Sequence, residues 1–533
     1  MPKIQGTAAD YLIAQLCAVG VRRIYGVAGT AIFPLLDAIR RNPEVSFIAA
    51  TNELSAGYMA AYEARLTGSL GVCIATSGPG AVGLVSGVAD AYFDGDPVLA
   101  ITGQVKVGQI GTTTSQHFEQ QTFFKPLTGL TKQVLDPVAL TEVLPQAIGT
   151  ALTERTAVHL TIPVDLIGKP VSIDQPAVQW YPLENLSGDL QATIQALGSF
   201  QKPLLILGKE AVFTVDRWLT LAERLGAGVI IAQEAKGLVP GDHQLNLGGI
   251  GETYLPALIH RADGIILIGS APYEKPFLPN LPTVQITAKT MDLDWSLPLT
   301  APLTGNLSFL ANEIDRKLGE RAANQEWLTQ ISVSREELRR QLTQEAETSS
   351  QPVHPSKLMS ALSLHLAADA IISLDIGAFS YWFDKSFWAK QHTVLTSAYW
   401  RGIGSGLPGA IAAKLAFPNR QVLAVVGDGG LLLNPGELGT LTRYNLGVKV
   451  IVANTGNYEL EEQKMAAMGM EPFGTTLLPV NLIQLAQAYG LKGKTVTETS
   501  EIDWVLTQIL SDDEPVIVDV QCAKPQLPHP IPE

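Results

Sequence analysis

The sequence predicts an α/β fold, with three doubly wound parallel-sheet domains in one chain of 533 residues. Three observations carry that prediction. The length is room for about three domains at roughly 150 residues each. Short β-branched runs alternate with helix-period segments nearly from end to end, as parallel strands joined by crossover helices do. Hydrophobic residues make up 46% of the chain and charged ones 17%, enough for buried cores and too apolar for a disordered chain.

The N-terminal stretch MPKIQGTAADYLIAQLCAVG reads as a cap followed by an amphipathic helix. Strands are expected at Arg23–Gly26, Val45–Ala50, Leu70–Thr76 and Val98–Thr102, each followed by a helical segment. From Asp165 to Ser187, proline and polar residues without a period predict a linker. A second block has strands at Pro203–Gly208, Gly228–Gln233, Gly264–Gly269 and Val284–Thr287. The charged run from Asn312 to Gln351 reads as a solvated helix and a second linker. A third block comes next, with strands at Ala370–Asp375, Gln421–Val426, Val448–Asn454 and Pro515–Val520. The domains are therefore expected at residues 1–165, 191–345 and 346–533, the last with a C-terminal tail, and the first linker at 166–190. No short repeat is visible; what repeats is the whole α/β unit.

The formal net charge is −14, which argues against nucleic acid or an anionic membrane as partner, since both would repel the chain. Three scattered cysteines, Cys17, Cys73 and Cys522, are too few for a disulfide framework or a zinc cluster and read as small core residues. No run of about 18 apolar residues and no leader-like N-terminus is seen, so a cytoplasmic location is expected.

The strongest chemical signal is Val422-Leu-Ala-Val-Val-Gly-Asp-Gly-Gly430. An apolar strand running into Gly427-Asp428-Gly429-Gly430 places a carboxylate at the strand's carboxyl end, where doubly wound sheets bind ligands. Glycines let backbone N–H groups approach a phosphate. A carboxylate beside phosphates suits magnesium, with further oxygen donors expected where the next strand ends, at Asn454, Thr455 and Asn457. The bland alternative is a tight turn without a ligand. Glu53 stands between a strand and an alanine-rich helix, where a carboxylate among apolar neighbours is a candidate proton donor or acceptor. Ala75-Thr-Ser-Gly-Pro-Gly80 and Gly26-Val-Ala-Gly29 are weaker strand–glycine turns. The loop Ile110–Gln121 carries His117, and Tyr399–Gly409 is glycine-dense but interrupted by bulky residues, as around a wrapped ligand. No Gly-x-Ser-x-Gly elbow, P-loop or Cys-x-x-Cys pair occurs.

Together these segments resemble the thiamine-diphosphate-dependent family of acetolactate synthases, pyruvate oxidases and 2-oxo acid decarboxylases, over nearly the whole chain. The Gly-Asp-Gly element with an asparagine-bearing strand end is the most specific motif. Asn52-Glu53-x-x-Ala-Gly-x-Met-Ala60, Ser77-Gly-Pro-Gly80, Ile110-Gly-Thr…Gln116, Lys236–His243 and Gly404-Ser-Gly-Leu-Pro408 are also similar to elements of acetolactate synthases. The resemblance implies a pyrimidine-binding, a central and a diphosphate-binding domain, in that order. It implies thiamine diphosphate and magnesium as cofactors, with Asp428, Thr455 and Asn457 as metal donors. Glu53 is implied as the activating acid, with Gln116 and His117 near the reacting carbon. Cofactor contacts are implied at Gly29, Thr76 and Gly377, and at Ile403 as the bulky residue that bends the cofactor. Others fall on Gly427, Gly429, Gly430, Tyr458 and Glu459. The same likeness implies a homodimer or homotetramer with active sites at the subunit interface.

Departures from the family pattern are visible. Thr455 stands where an asparagine is usual, and Ala378 and Phe379 replace a polar pair. Gly208-Lys-Glu and Thr287-Ala-Lys-Thr lack features of flavin-binding relatives, which leaves bound FAD doubtful. Tyr458–Gln463 lacks the tryptophan of acetolactate synthases, while Gly456-Asn-Tyr-Glu459 and Gln116-His117 resemble phosphonopyruvate and sulfopyruvate decarboxylases. The expected activity is decarboxylation of a 2-oxo acid, pyruvate first, with carboligation to a second carbonyl. The alternatives are simple decarboxylation to an aldehyde, with His117 or Glu459 supplying the proton, or a non-catalytic relative that binds cofactor poorly.

Overall fold

The computed structural model describes residues 4–173, 184–250, 256–271, 274–347 and 349–527. Three six-stranded sheets form the framework. In the first, the spatial order is Ser46–Ala49, Arg23–Gly26, Gly71–Ala75, Val98–Gln104, Ala157–Pro163 and Leu130–Gln133, all parallel. In the third it is Thr393–Leu395, Ile371–Leu374, Val422–Gly427, Val448–Asn454, Val516–Gln521 and Lys492–Val496, again all parallel. The two sheets visit their strands in the same sequence, so both switch direction between their first and third strands. Outside the carboxyl ends at that point lies the crevice in which open α/β sheets place ligands.

The central sheet runs Gly228–Ile231, Pro203–Leu207, Gly264–Ile268, Thr283–Thr287 and Leu303–Gly305 in parallel, and Leu186–Gly188 closes it antiparallel. That last strand corrects the expected linker at 166–190, as does Pro170–Ile173, which pairs with Ile4–Thr7. Residues 174–183 of the linker lie outside the described residues. The charged run from Asn312 is also more than a solvated tether. It contains the helix Gln325–Ala346, whose Trp327, Ile331 and Leu338 are buried, and the Trp327 indole donates to the Pro203 carbonyl at 3.2 Å. Charged residues on the other faces mask a stripe of only three apolar positions.

Strands not anticipated share a disguise. Ala157–Pro163 is wholly buried, yet His159 and Thr161 interrupt its apolar run, because they bond Thr102 and Gln120 inside the sheet. Lys492–Val496 is an edge strand, half exposed and polar.

The first and third domains share one core. The alanine-rich helix Glu53–Thr67 is buried over most of its length and packs against both Val85–Asp94 and Gly406–Ala416. Small residues permit this closeness: a Cβ on Gly87 would strike the backbone at Gly57 and Tyr58. The three cysteines are free and buried. No helix among the described residues is long and apolar enough to cross a membrane.

Candidate active site

The strand Val422–Gly427 is buried until its last residue, and the chain turns there into the short helix Asp428–Leu433. Asp428 is itself buried, and loss of water pushes its carboxyl above the ordinary range, opposed by backbone N–H donors such as Gly456 at 2.9 Å. The adjoining strand Val448–Asn454 ends on Asn454, whose amide is tied to Asp519 at 2.8 Å and so turned into the sheet. Thr455 and Asn457 come next: the Thr455 hydroxyl donates to the Asn457 carbonyl oxygen at 3.2 Å, and the buried Asn457 side-chain oxygen has no hydrogen-bond partner. A carboxylate, a hydroxyl, a backbone carbonyl and an unsatisfied amide oxygen form a hard, all-oxygen donor set. That chemistry fits magnesium. Gly429 has no space for a side chain because the Tyr458 ring lies against it.

The opposite wall comes from the strand Ile371–Leu374. Asp375 is fully buried at its end and accepts from the N–H of Ile376 at 2.8 Å and of Gly404 at 3.0 Å. Burial pushes its carboxyl up to about 6. It fastens the loop after its own strand to the loop that carries Ile403. Between these walls lies a cleft of about 770 Å³, lined by Gly377, Ile403, Gly427, Asp428, Gly429, Gly430, Thr455, Asn457, Tyr458 and Glu459. The third-domain positions singled out from the sequence therefore meet in one place, except Asn454, which is held by Asp519 and does not line the cleft. Glu459 is buried there, its carboxyl pushed up to about 7 by desolvation, and it accepts from the Gln463 amide at 2.9 Å.

Sequence reasoning passed over other residues of the cleft. Trp382 joins Phe379, noticed in the sequence only as a departure, in an apolar wall; Arg401 adds a cation, and Cys522 and Ala523 reach the cleft from beyond the last strand, Val516–Gln521. Asp375 was within a noticed string, but its work is to join two loops distant in sequence. Cys522 and Ala523 carry no chemical signature at all.

The first-domain positions gather at the matching switch point. Glu53 opens its helix, capped by Asn52, whose side chain accepts from Ser55 N–H at 2.8 Å. The carboxylate lies against the short helix Pro79–Gly83, where a Cβ on Gly80 or Gly83 would come within 3.1 Å of one of its oxygens. Thr76 stands beside Gly80 and Gly29, and its hydroxyl accepts from Ala31 N–H at 3.2 Å. Gln116, at φ +64°, packs on Gly78 and accepts from the Ser77 hydroxyl at 3.4 Å. His117 is turned into its own loop, where Nε2 accepts from Gly111 N–H at 3.2 Å. None of these first-domain residues lines the third-domain cleft. The structure thus keeps the first-domain group and the third-domain cleft apart in one chain. They are fixed to each other from behind: Thr51 N–H donates to Glu437 at 2.9 Å, and the Asn52 amide meets Asn434 at 3.3 Å.

FAD, if bound, would lie at the carboxyl ends of the central sheet. Glu210 accepts there from the Ser270 hydroxyl at 2.6 Å and Glu274 from Gln233 N–H at 2.7 Å. Glu234 is buried beside them, its carboxyl pushed up to about 7, and Glu274 is pushed well up by burial and by Glu234. Lysines from the same strand ends reach the other domains, Lys289 to the Arg155 carbonyl at 2.8 Å and Lys236 to the Asp384 carbonyl. Three carboxylates stand where a dinucleotide's diphosphate needs N–H donors. Among the described residues this set does not fit FAD.

Comparison with known proteins agrees with the three-domain layout. Three family models match in order: the N-terminal TPP binding domain of thiamine pyrophosphate enzymes over residues 6–126, their central domain over 190–314, and their C-terminal TPP binding domain over 375–520. The chain is 30% identical to the "Putative thiamine pyrophosphate-containing protein YdaP" of Bacillus subtilis, over 99% of this chain and 93% of that protein. It is 27% identical to the acetolactate synthase large subunit of Lactococcus lactis, over 97% and 93% of the two chains. The acetolactate synthase isozyme 1 large subunit of Escherichia coli is also 27% identical, over 98% and 95%.

Proposed function

The chain belongs to the thiamine pyrophosphate enzyme family, and from that membership we propose that it decarboxylates a 2-oxo acid, pyruvate first, and joins the fragment to a second carbonyl. It would use thiamine diphosphate and magnesium. The observation that carries the proposal is the third-domain cleft, in which the oxygens of Asp428, Thr455 and Asn457 stand beside a glycine floor at a topological switch point. The likeness to acetolactate synthase large subunits supports the carboligation.

Asp428, Thr455 and the Asn457 carbonyl would hold the metal, and Gly427, Gly429 and Gly430 leave backbone free to approach a diphosphate. When bound, thiamine diphosphate supplies the carbon nucleophile and the electron sink that decarboxylation needs. Ile403 would give the cofactor an apolar support. Phe379 and Trp382 keep water from one side of the cleft. Glu53 would hold and return the proton at the aminopyrimidine ring, with Thr76 and Gly29 beside it and Gln116 facing the substrate. His117, bonded within its own loop, is assigned to substrate contact only.

Glu53 and the cleft belong to separate half-sites, and exposed apolar residues flank both: Val82, in the short helix against Glu53, and Leu433, at the end of the Asp428 helix, are about half exposed, at 47% and 49%. A second copy would complete the site, so the working unit is a homodimer, or a homotetramer built from it. The central domain contributes no ligand, and no flavin step is assigned.

Glu459, buried in the cleft, favours a second reading in which its carboxyl returns a proton and the product is an aldehyde. Incubation with pyruvate, thiamine diphosphate and magnesium separates the two. Acetolactate or acetoin is expected, and acetaldehyde alone would sink the carboligase reading.

A further inference from the structure

The glycine-dense loop between the edge strand Thr393–Leu395 and the helix Gly406–Ala416 presents one long cation, Arg401, to the cleft. Among the lining residues it is the sole lysine or arginine, facing three carboxylates, Asp428, Glu459 and Glu461. Its backbone sits at φ +51°, in the left-handed region that glycine occupies freely and arginine does not. Glycines stand at 402 and 404, so the loop already has residues suited to such a turn, and an arginine is kept at 401 despite the backbone strain.

The guanidinium is also aimed. One of its nitrogens lies 3.5 Å from the Gln233 side-chain oxygen, and Gln233 is held by Glu274 through its N–H at 2.7 Å and by the Ser380 carbonyl at 3.3 Å. The loop is pinned on either side, by the Trp400 indole donating to Ser86 at 3.0 Å and by Gly404 N–H donating to Asp375. Arg401 arrives from the edge of the sheet. The oxygen donors for the metal arrive from the ends of Val422–Gly427 and Val448–Asn454, further across it.

We propose that Arg401 binds the carboxylate of the 2-oxo acid, from the side of the cleft that the edge strand supplies. This rests on the reading of the cleft as a 2-oxo acid site. A planar guanidinium matches a carboxylate with two parallel hydrogen bonds, and an anionic substrate entering beside three carboxylates needs such a counter-charge. The central domain thereby acquires a role without a ligand of its own, as the support behind the substrate-binding arginine.

Arg401→Gly tests this with little risk to folding, since glycine suits φ +51° and should leave the melting temperature unchanged or raised. The expected result with full-length protein is a KM for pyruvate raised roughly ten- to hundredfold, from loss of a charged hydrogen bond. Thiamine diphosphate affinity in saturating magnesium, read by calorimetry, should stay within about twofold, as expected for a residue off the diphosphate anchor. Arg401→Lys should fall between, and added guanidinium ion should lower the raised KM of Arg401→Gly. An unchanged KM overturns the proposal. A cofactor affinity that falls in step with the KM overturns it too, and assigns Arg401 to the diphosphate. Wild-type protein that binds no thiamine diphosphate overturns the functional reading itself, and this one with it.

Discussion

Glu53 combines a half-buried position at the start of a helix with close contact to Gly80 and Gly83, so its carboxylate is placed by backbone rather than by a charged partner. Glutamine at 53 keeps the shape and removes the exchangeable proton. The expected outcome is thiamine diphosphate binding close to wild type with turnover lowered about 10²- to 10⁴-fold, the usual loss when a positioned acid is removed. Stopped-flow turnover beside calorimetric binding checks both halves, and unchanged turnover would take Glu53 out of the mechanism. Glu53 and Asp428 were legible in the sequence because each stands in a short string whose neighbours, glycines or alanines, have little other use for a carboxylate. Asp375 and Arg401 were not. Asp375 works through Gly404, a residue far along the chain, and Arg401 through Gln233 of another domain.

Among the elements, the strand Ala157–Pro163 hides behind the polar residues it buries, and one of them makes stability depend on pH. Its His159 is fully buried, with Nε2 against the Thr102 hydroxyl at 2.7 Å, Nδ1 against the Thr131 hydroxyl at 2.9 Å, and the ring stacked on Phe124. Desolvation pushes its pKa down to about 3. The unfolded chain takes up this proton near pH 6.5, whereas the folded one refuses it until about pH 3. The stability it contributes is therefore complete above pH 6.5 and is lost as pH falls towards 3. Urea midpoints should decline over that window, and His159→Gln, although less stable at neutrality, should decline less steeply. The difference between the two slopes isolates the histidine from carboxyls such as Asp375. Those are pushed up by burial and act in the opposite sense, losing stability as pH rises from about 4 to about 6. Parallel slopes in the two proteins would refute the assignment. The helix Gln325–Ala346 hides in the reverse way: its surface charge is plain in the sequence, and its three buried anchors on the central domain are not.

For the whole molecule, two half-sites in one chain make a prediction about pairs of chains. Glu53→Gln and Asp428→Ala damage different half-sites, and each alone should be nearly inactive. When the two variants are mixed and allowed to exchange, half the dimers become mixed, and each mixed dimer holds one site with both residues intact. Activity should then recover to about a quarter of wild type, as closed two-fold symmetry requires. Absence of recovery, with exchange verified by native mass spectrometry, would place Glu53 and Asp428 in the same site of one chain. The net charge of −14 has a bearing at this scale as well. An acidic protein would have to attract the proposed anionic ligands locally, through glycine backbone, a metal held by oxygen donors and Arg401, rather than through its overall field.

What the sequence determined by itself was the class of each domain and the grouping of glycines, a carboxylate and oxygen donors at the ends of neighbouring strands of the third domain. Period and turn chemistry are local, and they survive being read one segment at a time. Only the tertiary structure decided that the first and third sheets share one strand order and one core. It also decided that charged groups of the chain itself occupy the central crevice, that Glu53 stands outside the cleft, and that an arginine lines it. Those are relations between residues hundreds of positions apart, set by packing, and no local pattern encodes them.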